Sequence, residues 1–324
     1  MTALTAHPAA PQTSKPSAPP ARPTLGSSLR LAALDIKLAH SVFALPFAVL
    51  GAFLARRAPA EGGPPSRIFA LQLALVVLCM VLARTWAMLV NRLADARLDA
   101  LNPRTQRRAV ASGQLPARSA FLMAAACALG FIIAAGLFWP LSGNWWPLAL
   151  ALPVLAWLAF YSFAKRFTWL CHVLLGTALA ISPLAASLAV SPAAITAVPA
   201  LWWTSAMVVC WVAGFDVIYA LQDVDVDRRL GLFSVPARLG IGRALWLSRL
   251  LHAGAAGCLL MAWRSDPRFG PLFLAAVVIA AGLLVAEHIV LARRGERGLD
   301  MAFFTLNGIV SCVVGGLGLI DLVS

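Results

Sequence analysis

The chain of 324 residues is 61% hydrophobic and only 12% charged, with a mean hydropathy of +0.83, whereas soluble domains run at roughly 45–50% apolar and 25% charged. A soluble globular fold is excluded, and apolar runs recurring from Leu31 almost to Ser324 with short polar breaks read as one membrane bundle. The net charge of +13 sits in those breaks, which fits membrane orientation and anionic ligands and argues against nucleic acid.

Residues 1–30 are rich in Pro, Ala, Ser and Thr and read as a disordered tail without a signal-peptide core. Residues 31–324 form the membrane domain. About twenty apolar residues suffice to cross a bilayer. Runs of that length are expected at Leu34–Leu54, Arg67–Val90, Ala117–Trp139, Trp145–Phe163, Trp169–Val190, Val198–Leu221, Gly242–Trp263, Gly270–Ala292 and Asp300–Leu322. The expectation is therefore all-α, with nine transmembrane helices in a single bundle around a central cavity. Breaks after the even-numbered spans hold fifteen Lys and Arg residues against five in the opposite breaks. Basic loops stay in the cytoplasm, so both polar motifs described next face the cytoplasm from an inner (cytoplasmic) membrane. The six cysteines are scattered singly and read as small buried hydrophobes.

The second span delivers NRLADARLDALNPRTQRRAVASGQ, in which Asn91, Asp95 and Asp99 are four residues apart and share one helical face. The sixth delivers DVIYALQDVDVDRRLGLFSVPARLG, with Asp216, Asp223 and Asp227 at offsets of seven and four and Tyr219 close to that line. Of thirteen acidic residues, six lie in these two windows. One such motif is accounted for equally well by carboxylates neutralising neighbouring arginines. Two at matching positions four spans apart are not, because carboxylates in a membrane bundle are costly unless paired, hydrated or bound to a cation. Mg²⁺ suits an all-oxygen donor set that is completed by waters and substrate phosphates. Arginines and Lys165 suit phosphate oxygens. Together these describe a site for a ligand with a diphosphate head and an apolar tail.

Those two motifs, with YSFAKRFTWLCHVLLG between them, resemble the UbiA family of intramembrane aromatic prenyltransferases from about Ile36 to the C-terminus. The resemblance implies a polyprenyltransferase with a cavity open sideways to lipid. It further implies Mg²⁺ held through the acidic motifs and a polyprenyl diphosphate donor. Asn91, Asp95 and Asp99 match the first motif; Asp216, Tyr219, Asp223 and Asp227 match the second; Tyr161, Lys165 and Arg166 match the tyrosine and basic pair. The family's commoner first motif has Asp where Arg92 stands, and Arg92 is expected off the Asn91/Asp95/Asp99 face. This N-R-x-x-D variant, with AHSVFALPF at Ala39–Phe47, is similar to a branch making menaquinone by the futalosine route from a dihydroxynaphthoate. The acceptor is thus of the 4-hydroxybenzoate or the dihydroxynaphthoate type, in ubiquinone or menaquinone biosynthesis. Arg107 and Arg108 are candidates for the diphosphate, Lys37 with His40 for the acceptor's carboxylate, and Phe43, Phe47 or Tyr161 for facing an allylic cation. The general base is Asp216 or the released diphosphate. His172, His252 and His288 read as buried hydrogen-bonding residues, and Asn307 as an interhelical bond. The alternatives are a membrane transporter or prenyl transfer to a non-aromatic acceptor.

Overall fold

The computed structural model describes residues 43–56, 65–299 and 301–324, together with Gly26, Leu31 and Gly63. The expected tail at 1–30, Gly26 aside, and the candidates Lys37 and His40 lie outside the described residues. Within them every regular element is a helix. The long elements are α1 (Leu45–Ala55), α2 (Ser66–Ala100), α3 (Ala117–Gly136), α4 (Trp146–Ala164), α5 (Cys171–Val190) and α6 (Pro199–Tyr219). Two short helices follow, α7 (Val224–Arg229) and α8 (Val235–Leu239), and then α9 (Ile241–Ser265), α10 (Pro271–Arg294) and α11 (Asn307–Val323).

The expected count of nine spans is corrected to eight among the described residues. Of the first expected span only α1 is described, and its 11 residues reach roughly 16 Å at 1.5 Å per residue, short of a hydrocarbon core of about 30 Å. The bundle is built around α6. Of its most apolar window 61% is buried, against 17–44% for the other spans, and it packs on α5 and α9. Trp211 of α6 is fully buried and touches Phe43, Phe47 and Phe215 edge-on or tilted, with centroids 5.2–6.3 Å apart. Close approach depends on small residues: a side chain at Gly176 of α5 would come within 2.6 Å of the Val209 carbonyl oxygen on α6. Without a hydrophobic drive between helices in lipid, this contact is what packs them.

Phe121, Leu152, Trp246 and Leu250 are exposed on the outside of the bundle, the surface that meets the bilayer. Cys312 is exposed and the other five cysteines are half-buried and outside any disulfide, so the expectation that the cysteines are buried holds only in part. Lipid, being as apolar as a core, removes the reason to hide them.

Candidate active site

The first motif sits on the last turns of α2, which runs 35 residues before stopping at Ala100. Pro103 has no backbone N–H, and the Asn102 side chain accepts the Arg104 N–H at 3.0 Å, a local turn that closes the helix. The second motif starts on α6 and is not one helical face. A tight 3₁₀ turn at Ala220–Asp223 separates α6 from α7, so Asp216 and Asp227 stand on different helices. All the acidic motif residues, Asn91, Asp95, Asp99, Asp216, Tyr219, Asp223 and Asp227, nevertheless line one cavity of about 320 Å³.

Asp95, Asp99 and Asp223 each meet a base on another turn or helix. Asp95 is almost fully buried. It accepts from Lys165 Nζ at 2.6 Å, Arg166 at 2.9 Å and Asn91 Nδ2 at 3.4 Å. Arg166 also donates to the Ala94 carbonyl at 2.7 Å, clamping the end of α4 onto α2. Asp99 accepts both of its bonds from one Arg108 nitrogen, at 2.8 and 3.0 Å. Asp223 accepts from Asn102 Nδ2 at 2.8 Å and from Arg104 Nε at 3.0 Å, with a second Arg104 nitrogen on its other oxygen. Arg104 also donates to the Tyr219 hydroxyl at 2.9 Å. The loop after the first motif therefore reaches directly to the second. Burial works against the Arg104 charge, but the bonds to Asp223 and Tyr219 outweigh it and hold the guanidinium above its usual value.

Asp216 meets His172 instead. Nε2 of the imidazole accepts the Val235 N–H at 3.2 Å, so Nδ1 carries the proton and donates it to Asp216 at 2.7 Å. Val235 is held by the N-cap of α8, where the Ser234 hydroxyl accepts from the Ala237 amide and Pro236 occupies the first turn.

Some expectations need revision. Arg92 is not off the cavity: it is buried, lines the cavity wall and donates to Asn91 Oδ1 at 3.0 Å. One residue along a helix is a rotation of about 100°, and Arg92 therefore lies only about 60° from Asp95, within reach of a long side chain. Arg107 is exposed and outside the cavity, whereas Arg104 and Arg108 line it. Phe43 and Tyr161 line the cavity; Phe47 is packed behind it on Trp211. Reasoning from sequence misses Asn102, Arg104, His172, Arg84 and Phe303 as site residues. Phe303 stacks on Tyr219 with centroids 4.2 Å apart. Arg84 lines the cavity two turns below Asn91 on α2, and no carboxylate pairs with it among the described residues.

The donor set of carboxylate and amide oxygens has the hardness Mg²⁺ requires. Among the described residues no three Asp, Glu, His or Cys side chains stand close enough to hold a metal by themselves. The residues therefore fit a metal whose shell is completed by phosphate oxygens, which is the usual magnesium arrangement. Farther along α2 and α5 a second cavity, of about 310 Å³, is almost entirely apolar, with Val76, Met80, Ala151 and Leu184 among its walls. From Asp95 to Val76 is roughly 28 Å along α2.

An all-helical membrane bundle with an acidic and basic polar chamber above an apolar one is an integral-membrane protein whose site suits a ligand with an anionic head and an apolar tail. The profile of the UbiA prenyltransferase family matches residues 44–309, and the chain belongs to that family. It is a polyprenyltransferase, and the transporter alternative falls. A 4-hydroxybenzoate octaprenyltransferase of Nitrosomonas europaea is 28% identical over 267 residues, 80% of this chain and 84% of its own. One from Shewanella loihica is 27% identical over 289 residues, 88% and 93%. Among solved structures, a UbiA homolog from Aeropyrum pernix K1 in its apo form superposes with a TM-score of 0.76 at 30% identity, covering 87% of this chain and 98% of that one. A UbiA homolog from Archaeoglobus fulgidus bound to GPP and Mg²⁺ shares the fold at 17% identity with a TM-score of 0.63, covering 91% and 100%.

Proposed function

We propose that the protein transfers a polyprenyl group from polyprenyl diphosphate to an aromatic acid acceptor of the 4-hydroxybenzoate or dihydroxynaphthoate type, with Mg²⁺, as a step of ubiquinone or menaquinone biosynthesis. The observation that carries this reading is one cavity in which both acidic motifs meet basic side chains, with an apolar cavity farther along the same helices. Names of the relatives favour 4-hydroxybenzoate; the N-R-x-x-D first motif favours the dihydroxynaphthoate. The charge asymmetry of the loops supports an inner membrane with the site on the cytoplasmic side, within a catalytic domain spanning 31–324.

Asn91, Asp95, Asp99, Asp223 and Asp227 would hold Mg²⁺, which neutralises charge growing on the leaving diphosphate. Arg104, Arg108, Lys165 and Arg166 bind the diphosphate oxygens, exchanging the carboxylates they now pair with, while Tyr161 and Tyr219 flank the head group. Phe43, Tyr161 and Phe303 present ring faces to the allylic carbon as its C–O bond breaks. The apolar walls exclude water, which would otherwise capture the cation as an alcohol. The Arg84 guanidinium takes the acceptor's carboxylate from below, orienting the ring toward that carbon. As the new C–C bond forms, the ring proton passes to Asp216, which His172 holds in place. Distal isoprene units extend between α2 and α5 into the second cavity.

Purified protein with labelled octaprenyl diphosphate, Mg²⁺ and each acceptor in turn tests the reading. Labelled prenylated acid from one acceptor is the expected outcome. Prenyl alcohol alone, or no turnover with either, would overturn it.

A further inference from the structure

Outside the catalytic cavity, polar side chains collect between α9 and α10. His252 of α9 is buried, and its ring packs so closely on α6 that a Cβ at Gly214 would come within 2.3 Å of it. Its Nδ1 lies 3.1 Å from Nε2 of His288 on α10. Beside His288, the carboxyl of Glu287 is buried and accepts from Asn307 at 3.3 Å, and Asn307 in turn accepts from the Trp211 indole. This chain of groups runs from the centre of the bundle to a groove of about 450 Å³. Arg249 and His288 form its polar walls and Ala256 and Ala281 its floor; Ala253, Val285 and Ile289, all exposed, form its rim.

The groove's depth follows from chain position. Arg249 lies eight residues into α9, about 12 Å, and His288 six residues before the end of α10, about 9 Å. Both distances run from the side that carries the acidic motifs, since α9 begins just after the second one. Among the described residues Arg249 has no carboxylate partner and no hydrogen-bond acceptor; the Trp246 ring lies 4.8 Å away, one turn closer to the surface. A cation at that depth whose neighbour is one ring face, with no anion beside it, is costly and marks a function by default. The structural role of holding four helices together is met by His252, Glu287, Asn307 and Trp211, and it uses neither Arg249 nor the free edge of His288.

We propose that this groove binds the head of an anionic phospholipid from the surrounding leaflet. The phosphate pairs with Arg249, a glycerol ester carbonyl accepts from His288, and an acyl chain lies on the alanine floor. A phospholipid fits better than a second polyprenyl diphosphate. The catalytic cavity sets several cations and carboxylates against a diphosphate and its metal, whereas one arginine faces this groove and Glu287 is buried behind it. The proposal does not depend on the acceptor or on turnover, because binding is read directly.

Wild type, Arg249→Ala and His288→Phe are placed in nanodiscs of phosphatidylcholine with and without phosphatidylglycerol, and retained lipids are counted by native mass spectrometry after gentle detergent release. Monodisperse elution of each variant controls for folding. Wild type should keep one phosphatidylglycerol of which both variants retain less, with affinity falling about fivefold in Arg249→Ala. Equal retention in all three proteins, or equal retention of phosphatidylcholine, overturns the proposal. So does displacement of the bound lipid by polyprenyl diphosphate in the wild type and not in Arg249→Ala, which would make the groove a second donor site.

Discussion

Asp223 is where the two halves of the site meet, since both Asn102 and Arg104 reach it from the loop after α2. Arg104→Ala should therefore act on both motifs, lowering kcat/KM by about 10²–10³-fold, the loss typical of one donor to a developing oxyanion. Asp95→Asn should cost at least as much while the protein still purifies as a folded membrane protein. Unchanged steady-state kinetics in either would remove that residue from the diphosphate and metal site. Arg84→Ala should raise the acceptor's KM more than the donor's, and a neutral acceptor analogue lacking the carboxylate should be insensitive to the change. At this scale the sequence shows the carboxylates well, because Asp residues clustered twice in so apolar a chain must be held by cations to be tolerated. It does not show which arginine of NPRTQRR turns inward. Arg104, Arg107 and Arg108 share one irregular loop with no helical period to sort them, and it is their partners Asp223 and Asp99 that show Arg104 and Arg108 facing the cavity while Arg107 faces out.

Among the elements, α6 tolerates the least change. Gly176→Leu on α5 would force its side chain into the Val209 carbonyl, and overpacking of this kind costs about 1–3 kcal/mol. A lowered melting temperature in detergent, with Gly257→Leu as the control because nothing lies near its Cβ, checks this. Eight of the spans are legible as apolar runs of bilayer length. The break between α6 and α7 is not. ALQDVDVD contains neither Gly nor Pro, so the periodicity reads straight through Asp223, and the 3₁₀ turn falls where Asp223 bonds Asn102 and Arg104 across the cavity, contacts that no local pattern reports. His172 likewise reads only as a buried hydrogen-bonding residue; its partner is 44 residues away on α6, a distance that no local pattern reports.

For the whole molecule, the proposed reading makes the two cavities arranged along α2 and α5 the limit on the length of chain that can be carried. Ala151→Phe narrows the apolar one, and donors shorter by about one to two isoprene units should then be preferred, as read from product masses with a mixed pool of donors. Unaltered products would place the tail elsewhere. Chelation with EDTA should abolish turnover and also weaken retention of radiolabelled polyprenyl diphosphate on the protein, a readout that needs no acceptor. The loop after the second motif is tied to the basic pair as well. Its Phe233 amide donates to the Lys165 carbonyl at 2.7 Å, and its carbonyl accepts from the Cys171 thiol at 3.2 Å. Lys165 is the same residue that grips Asp95 and that donor binding, on the proposed reading, must loosen. A deuterium label at that single peptide group is thus a built-in gauge, whose exchange rate should change when the lysine swaps its aspartate for a phosphate.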